Sequence, residues 1–282
     1  MSILSIQSSV AYGHVGNSAA VFPLQRIGLE VWPVSTVVFS NHTGYGAWRG
    51  PLLPAGDVRD VITGVEERGA FPEVAAVLSG YQGGEDIGGV ILDAVARVKA
   101  ANPAAIYACD PVMGNAKSGC FVHPAIPVLL RDQVVPQADL ITPNQFELGY
   151  LTETEPLTLD ETLTSVALAQ AMGPRTVLVT SVLRPDAPAH TVEMLAVHGD
   201  TAYVVQTPLL PFKANGSGDV TAALFTAHLL ATDDPKVALE RTASSVFDLL
   251  QTTLDSGRRE LQLVQAQEFF AHPRMQFTAT PA

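Results

Sequence analysis

Short apolar runs alternate with longer stretches of helical periodicity along most of this chain. Buried strands are predicted at 74–79, 105–109, 140–142 and 176–180. Amphipathic helices are predicted at 19–27, 58–69, 87–100 and 158–172. Because strands that alternate with helices pair in parallel, the pattern predicts an α/β fold with a mostly parallel central sheet and helices on both faces.

The pattern is less regular toward both ends of the chain. An opening strand at 2–6 leads through a small-residue loop at 13–18 into the first helix. The strand at 31–38 contains Pro33, which cannot donate a ladder hydrogen bond and therefore predicts an edge or irregular strand. The second half adds a hairpin-like pair and two helices, at 193–197, 202–206, 220–230 and 235–254. Since no repeat or linker interrupts the chain, a single domain over 1–282 is expected.

Composition and charge narrow the class of protein. Apolar residues make up 47% and charged residues 16% of the 282 residues, which predicts an ordered globular fold. The formal net charge of −12 argues against a nucleic-acid groove and against an anionic membrane surface. No segment reaches the roughly 20 apolar residues of a membrane span, and the opening residues lack the pattern of a signal peptide. With Cys109 and Cys120 as its only cysteines, we expect a reduced, cytoplasmic protein without nucleic-acid or membrane partners.

Polar residues follow several of the predicted strands. In open parallel sheets, ligands bind in the crevice outside the carboxyl ends of the strands. The candidates at these positions are Ser8, Tyr81, Asp110, Thr142, Asn144, Glu147, Thr180 and Ser181. The carboxyl edge of the sheet is therefore the predicted binding site.

A glycine-rich turn precedes the helix predicted at 220–230. Its sequence is GSGD at 216–219. Free backbone N–H groups at a helix N-terminus attract anions through hydrogen bonding and the helix dipole. Asp219 therefore has two interpretations: a helix cap, or a base that takes a proton from a nucleophile lined up against a phosphate on the same amides.

The motifs taken together resemble the ribokinase-like superfamily. The resemblance rests on DPVMG at 110–114, NQFE at 144–147 and GSGD at 216–219. Further segments narrow it to the pyridoxal kinases within that superfamily. They are IQS at 6–8, YGHVGNSAA at 12–20, FSNHT at 39–43 and LSGY at 78–81. These segments occur in matching order, and the similarity extends from residue 3 to about residue 278.

The resemblance implies both a fold and a reaction. The fold is the ribokinase-like three-layer α/β/α arrangement. The reaction is the ATP-dependent phosphorylation of the 5′-hydroxyl of pyridoxal to give pyridoxal 5′-phosphate. Asp219 would be the general base for this hydroxyl, and the amides of Gly216, Ser217 and Gly218 would form the anion hole.

A nucleotide and metal site is implied at the strand ends. Mg²⁺ is held by one or two carboxylates together with phosphates, and the resemblance gives Asp110 and Glu147 this role, with Asn144 orienting the surrounding water. The residues implied to bind ATP are Asp110, Thr142, Asn144, Glu147, Thr180, Thr207, Pro208, Leu209 and Leu210. Local structure offers an alternative, because Asn144 and Glu147 also fit a helix capping box and Asp110 before Pro111 also fits a strand end. In the company of the other motifs, we favour the functional interpretation.

The substrate pocket is implied at the other end of the crevice. Ser8 would bond the pyridine ring, Thr43 and Gly44 would contact the ring substituents, and Tyr81 would offer an aromatic face. His42 is either part of this pocket or a structural hydrogen-bonding residue.

One departure from the resemblance concerns charge near the ATP phosphates. Many relatives carry a lysine where this chain has Thr180 and Ser181. Hydroxyl groups donate hydrogen bonds but supply no charge, so nucleotide affinity is in question. Compensation by Lys213 or Lys117 is left open.

A reactive thiol is a further hypothesis. The glycine-containing segment 113–122 is predicted to form a mobile flap over the site. Cys120 in this flap is positioned to add to the aldehyde of pyridoxal as a thiohemiacetal. The alternative is a half-buried small apolar residue.

Three functions compete at this point. The first is pyridoxal kinase, with a hydroxymethylpyrimidine kinase as the alternative within the same fold. The third function belongs to another class, a weakly catalytic pyridoxal-phosphate binder or carrier, and the missing lysine is the one feature that favours it. A nucleotide-dependent dehydrogenase is poorly supported, because the first strand has no G-x-G-x-x-G turn.

We also expect a homodimer, with Val34, Val37 and Phe39 exposed at the edge formed by the irregular second strand.

Overall fold

The computed structural model describes residues 1–282 and is organised around one sheet of nine strands. In chain order these strands are β1 (Ser2–Tyr12), β2 (Glu30–Asn41), β3 (Val74–Ser79), β4 (Ile106–Cys109), β7 (Leu140–Ile141), β8 (Thr176–Val182), β9 (Thr191–His198), β10 (Thr201–Pro208) and β11 (Thr280–Pro281). A separate hairpin joins β5 (Gly114–Asn115) to β6 (Gly119–Cys120). The spatial order in the sheet is β11-β10-β9-β8-β7-β4-β3-β1-β2. From β2 to β8 all neighbours pair in parallel, and β9, β10 and β11 add antiparallel strands at the far edge.

Nine α-helices cover the sheet. They are α1 (Asn17–Arg26), α2 (Ala55–Glu67), α3 (Ile87–Ala101), α4 (Ala125–Leu129), α5 (Gln145–Thr152), α6 (Leu159–Met172), α7 (Ser217–Thr232), α8 (Pro235–Asp255) and α9 (Gln267–Ala271). Single 3₁₀ turns lie at Thr43–Tyr45, Phe71–Glu73 and Val135–Gln137, and a π-helical turn lies at Leu130–Val134. None of these helices is long and apolar enough to cross a membrane.

Two large apolar clusters place the helices on opposite faces of the sheet. A cluster of 34 buried residues joins one face to α2, α3 and α6, and a cluster of 19 joins the other face to α1, α7 and α8. Along β1, Leu4 and Ile6 belong to the first cluster while Ile3 belongs to the second. Successive strand side chains point to opposite faces, so this alternation fixes both layers. The predicted three-layer α/β/α fold is confirmed.

Local caps determine where several helices begin. Thr158 accepts a hydrogen bond from the backbone of Glu161, and the Glu161 side chain bonds back to Thr158, forming a capping box at the start of α6. At α8, the Asp234 side chain accepts hydrogen bonds from Lys236 and Val237 at 2.8 and 3.2 Å. These side chains satisfy N–H groups that have no partner inside the helix. The predicted starts of both helices agree within one residue of the structure.

The second strand is an edge strand, as Pro33 predicted, but its exposed surface is different from the one expected. Val34, Val37 and Phe39 are buried, so the prediction that they form an exposed edge is wrong. Val37 and Phe39 pack with Val10, and the partly buried Val15 and Tyr81 pack against this cluster. The large apolar side chains exposed in this region are Tyr12, Val38, Trp48 and Leu52.

Candidate active site

The carboxyl ends of the parallel strands bring the predicted polar residues to one edge of the sheet. The backbone N–H of Asp110 donates to Ser79 at 2.8 Å, and the N–H of Thr142 donates to Cys109 at 3.1 Å. The N–H of Thr180 donates to Pro143 at 2.9 Å, continuing the same line of strand ends. The chain segments that follow β3, β4 and β7 are therefore held side by side.

Three acidic side chains, Asp110, Glu147 and Asp219, lie at the centre of this edge, which we call the acidic edge. Asp110 is buried, and its pKa is raised well above the usual value, first by burial and then by the charges of Glu147 and Asp219. Burial raises the pKa of Glu147 to about 7, with the Asp219 charge adding to the effect. Burial also raises the pKa of Asp219 to about 6. Like charges that face one another in a poorly solvated site favour protonation or a bound cation.

The donor groups at this edge suit a divalent cation that also binds water and phosphate oxygens. No group of three or more His, Cys, Asp or Glu side chains is arranged to hold a metal ion by itself. The buried hydroxyl of Thr142, which lies next to Asp110 and lowers its pKa, makes no hydrogen bond of normal geometry. Magnesium keeps several waters and takes one or two carboxylates plus phosphate oxygens. The donor set of buried carboxylates and a free hydroxyl matches that requirement.

Asn144 and Glu147 form the capping box that the sequence offered as an alternative. The side chain of Asn144 accepts from the N–H of Glu147 at 3.0 Å, and Glu147 Oε2 accepts from the N–H of Asn144 at 2.9 Å. The same two residues also hold the base of the β5–β6 hairpin. Glu147 Oε1 accepts from the N–H of Met113 at 3.0 Å and of Gly114 at 3.3 Å, while the Asn144 amide donates to the carbonyl of Gly114 at 2.9 Å. Local capping is thus present, and the metal-organising role of this pair stays a prediction.

The GSGD turn forms the N-terminus of α7. Gly216 has a φ of 89°, and a Cβ there would collide with the carbonyl oxygen of His14. The hydroxyl of Ser217 donates to the carbonyl of Ala214 at 3.0 Å. Gly218 faces open space, since a Cβ built on it would meet no atom within 4 Å. The turn therefore leaves room beside the helix N-terminus, where N–H groups and the helix dipole favour an anion.

Asp219 lies in the first turn of α7 and is half-buried. The backbone N–H of Gly16, at the end of the small-residue loop, faces its carboxylate and lowers its pKa against the larger effect of burial. Gly16 also packs tightly on Ser8, because a Cβ there would collide with the Ser8 carbonyl and hydroxyl oxygens. The loop thus connects Asp219 to Ser8 in the second half of β1.

The residues predicted to bind the substrate surround this loop. Ser8 is buried inside β1, which extends to Tyr12, so the prediction that Ser8 follows the first strand is wrong. Tyr81 is half-buried, and burial raises its pKa. Thr43 and Gly44 are exposed in the 3₁₀ turn that follows β2. His42 is buried, and its Nε2 lies 3.1 Å from Glu260 Oε1, so the structural alternative for this histidine has a definite partner.

The predicted nucleotide residues fall into two groups. Thr142 and Thr180 are buried beside the acidic edge, and Ser181 has a φ of 55°, the left-handed conformation that non-glycine residues rarely adopt. Lys117 and Lys213 are exposed. The second group lies at the end of β10, with Thr207 buried, Pro208 and Leu209 exposed, and Leu210 half-buried. The N–H of Leu209 donates to His190 at 2.8 Å, which fixes this segment to the β8–β9 connection.

Cys120 is exposed in β6, so the alternative of a half-buried apolar residue is wrong. It pairs with Gly114 across the hairpin, and the N–H of Phe121 donates to Met113 at 3.0 Å to close the hairpin base. Partial desolvation raises the pKa of the thiol, and the charge of Glu147 raises it further. The thiol is therefore the main form at neutral pH.

Sequence reasoning missed two residues, Arg259 and Glu260. They follow α8 and contact the loops around His42 and Gly13. The only signal was a short charged segment ahead of an apolar one, which has no specific meaning in a sequence.

Known proteins resemble the chain along its whole length. A family model described as phosphomethylpyrimidine kinase matches residues 86–263. The pyridoxal kinase PdxY of Leifsonia xyli subsp. xyli is 71% identical over 280 residues, which cover 99% of both chains. The chain belongs to the pyridoxal kinase family. A second pyridoxal kinase PdxY, from Corynebacterium diphtheriae, is 65% identical over 277 residues and 98% of both chains.

Solved structures agree with this membership of the pyridoxal kinase family. The pyridoxal kinase from Leishmania donovani in complex with ADP and pyridoxamine matches with a TM-score of 0.93 at 28% identity, covering 100% of this chain and 99% of that one. The resemblance to pyridoxal kinases that the motifs indicated is confirmed, and the chain is an enzyme of the kinase class.

Proposed function

We propose that this protein transfers the γ-phosphoryl group of ATP to the 5′-hydroxymethyl oxygen of pyridoxal, giving pyridoxal 5′-phosphate and ADP. The observation that carries the proposal is the half-buried Asp219, held next to the open N-terminus of α7. A proton acceptor and an anion-binding helix end at one point are what phosphorylation of an alcohol requires. The high identity to pyridoxal kinases supplies the substrate class.

Asp219 acts as the general base in this proposal. The hydroxymethyl oxygen bonds to the γ-phosphorus, its proton passes to the Asp219 carboxylate, and the bond from phosphorus to the leaving oxygen of ADP breaks. Because burial raises the pKa of Asp219 to about 6, the carboxylate is mostly ionised at pH 7 yet basic enough to accept a proton. The amides of Gly216, Ser217 and Gly218 bind the phosphoryl oxygens.

The acidic edge suits a magnesium nucleotide. Asp110 and Glu147 would hold Mg²⁺ directly or through water, and Asn144 would orient that water. Magnesium neutralises the charge of the phosphates when it is bound. The free hydroxyl of Thr142 and the mutual repulsion of the buried carboxylates support this assignment.

The substrate and nucleotide residues divide the crevice. On the substrate side, Ser8 bonds the pyridine nitrogen or a ring substituent, Tyr81 packs on the ring, and Thr43, Gly44 and His42 border it. On the nucleotide side we assign Thr142, Thr180, Thr207, Pro208, Leu209 and Leu210. The Thr180 and Ser181 hydroxyls take the place of a lysine and bind phosphate without supplying a charge.

Assembly and location complete the proposal. We infer that residues 1–282 act as one kinase domain and that two copies pair through the edge that β2 forms. The exposed Val38, Trp48 and Leu52 support this, because clustered apolar side chains on a surface favour association. Light scattering should give twice the 29.8 kDa chain mass at micromolar concentration. Both cysteines are free thiols, which is consistent with a cytoplasmic location.

Two other functions are separable by experiment. The phosphomethylpyrimidine kinase model that matches residues 86–263 favours a hydroxymethylpyrimidine substrate as the second candidate. Thr180 in place of lysine is the observation that favours a weakly catalytic pyridoxal-phosphate carrier. ADP release should be measured with magnesium ATP and pyridoxal, pyridoxine, pyridoxamine or hydroxymethylpyrimidine, with each product identified by mass. Preferred turnover of pyridoxal supports the proposal. Preferred turnover of the pyrimidine, or tight product binding without turnover, contradicts it.

A further inference from the structure

A buried carboxylate outside the acidic edge connects several loops of the site. Glu260 is 11% exposed at its side chain. Its Oε1 accepts a hydrogen bond from the Tyr45 hydroxyl at 2.6 Å and lies 3.1 Å from His42 Nε2. Its Oε2 accepts from the backbone N–H of His14 at 3.3 Å. Gly13 packs directly on this carboxylate, where a Cβ would collide with it.

The neighbouring Arg259 holds the same turn from its other end. Its guanidinium donates to the carbonyl of Gly44 at 2.8 Å and stacks over the ring of Tyr45, 3.8 Å from the ring centre. An arginine placed over a tyrosine ring gains a cation–π attraction in addition to its hydrogen bond. The 3₁₀ turn Thr43–Tyr45 is therefore clamped at its middle carbonyl and at its last side chain.

The charges in this cluster stabilise one another. Burial alone would raise the pKa of Glu260, but hydrogen bonds from Tyr45 and His42 outweigh it and lower the pKa below the usual value. In return, the hydrogen bond to Glu260 raises the pKa of Tyr45 to about 12. Tyr45 thus remains a neutral donor and Glu260 an ionised acceptor across the physiological pH range.

The cluster also reaches the turn that carries Asp219. The side-chain amide of Asn215 lies 3.4 Å from His42 Nε2, and Gly216 packs against the carbonyl of His14. Both His42 and His14 contact Glu260. One carboxylate therefore connects the small-residue loop, the turn after β2 and the start of α7.

We propose that Arg259 and Glu260 are positioning residues that hold the turn Thr43–Tyr45 at a fixed distance from Asp219. The pair sets where the substrate ring rests relative to the base and contacts no reacting atom itself. The inference rests on the proposed function, in which Thr43 and Gly44 border the pyridoxal ring. Its specific consequence is that loss of the pair weakens pyridoxal binding and leaves nucleotide binding unchanged.

The test compares Glu260→Ala, Glu260→Gln and Arg259→Ala with the control Glu268→Gln. Glu268 forms an exposed ion pair with Arg26, so its variant removes a carboxylate away from the site. For Glu260→Ala and Arg259→Ala we expect the KM and the calorimetric Kd for pyridoxal to rise at least ~10-fold, the effect of about 1.4 kcal/mol. The KM for ATP should stay within twofold. Glu260→Gln keeps an oxygen acceptor for Tyr45 and should recover part of the loss.

A spectroscopic measurement separates positioning from general destabilisation. Tyr45 is one of six tyrosines, and its ionisation is assigned by comparing the ultraviolet titration of each protein with that of its Tyr45→Phe variant. The pKa of Tyr45, which the hydrogen bond to Glu260 raises in the wild type, should be lower in Glu260→Ala. Pyridoxal constants that do not change while this titration shifts would overturn the proposal. So would a parallel loss of pyridoxal and ATP binding. If the wild type does not phosphorylate pyridoxal, the proposed function fails, and the calorimetric Kd for pyridoxal in these variants still decides the positioning role.

Discussion

The α-carbon of Gly216 lies against the main-chain carbonyl of His14, and Gly216 has a φ of 89°, which residues with a side chain rarely adopt. Two residues later, Gly218 faces open space. Substitution by alanine should therefore lower the stability of the fold at Gly216 and lower the activity at Gly218. Gly216→Ala combines a collision with a left-handed backbone, a conformation that costs roughly 1–2 kcal/mol for a non-glycine residue. We expect its Tm to fall by at least ~4 °C.

Gly218→Ala should fold normally and lose activity, because the added methyl group occupies the space in which the anion binds. We expect an unchanged Tm and a kcat/KM for ATP at least ~10-fold lower, the loss of about 1.4 kcal/mol of transition-state stabilisation. Thermal denaturation and ADP release measure the two effects. Normal activity in a folded Gly218→Ala variant would place the anion elsewhere.

Asp110 is expected to reduce stability at neutral and alkaline pH. Its folded-state pKa is raised by burial and by neighbouring carboxylates, so its contribution to stability is present at low pH and lost as pH rises through the folded-state pKa. Asp110→Asn should therefore raise Tm at pH 8 by ~2–4 °C, the shift that about 1 kcal/mol produces, and should lower magnesium-dependent turnover.

The measurement is thermal denaturation at pH 4 and pH 8 without magnesium, with Asp200→Asn as the control in the exposed turn between β9 and β10. At pH 4 the effect of Asp110→Asn should be small, because the wild-type carboxyl is then mostly protonated in the folded state. A lower Tm at pH 8 would mean that the carboxylate has a stabilising partner.

The rate of phosphorylation should depend on the ionisation of Asp219. Since the pKa of this carboxyl is about 6, kcat/KM for pyridoxal should fall about tenfold per pH unit below pH 6 and level off above pH 7. Initial rates of ADP release between pH 5 and 8 test this, with ATP and magnesium saturating. A flat profile would remove Asp219 from the role of base.

Cys120 provides a prediction that distinguishes two substrates. Thiohemiacetal formation needs the aldehyde of pyridoxal, which pyridoxine lacks. If the exposed Cys120 thiol adds to bound pyridoxal, Cys120→Ala should raise the KM for pyridoxal about threefold or more and leave the KM for pyridoxine unchanged. Equal effects on both substrates, or none, would exclude the adduct.

Much of the fold could be predicted because its signals are local. Buried strands such as β3 and capped helices such as α6 and α8 carry their pattern within a few residues, and their bounds agree closely with the prediction. The two-residue strand β11 is set by its pairing with Tyr203 and Val204 of β10, far away in the chain, and its own residues contain little pattern. The exposure of the β2 edge was predicted incorrectly, because Val37 and Phe39 pack with Val10, Val15 and Tyr81 from other segments of the chain.

The residues of the site also divide into those that the sequence predicted and those that it did not. Asp110, Thr142 and Asp219 were predictable, because strand ends and a glycine-rich helix start have a physical meaning in sequence. Arg259 and Glu260 were not, because 215 residues separate Arg259 from its acceptor Gly44 and Glu260 from its donor Tyr45. For Glu147, local and functional interpretations predict the same residue, and its capping bonds leave the functional role to experiment.

The central claim is that Asp219 is the base for phosphorylation of pyridoxal. The most direct test measures pyridoxal-dependent ADP release, with the product identified by mass, for the wild type, Asp219→Asn and Asp233→Asn. Asp233 is an exposed residue at the other end of α7 with a φ of 51°, which asparagine tolerates. The account predicts pyridoxal 5′-phosphate from the wild type and Asp233→Asn, and a rate at least ~100-fold lower in Asp219→Asn. Comparable turnover in Asp219→Asn, or no phosphorylation of pyridoxal by the wild type, would contradict it.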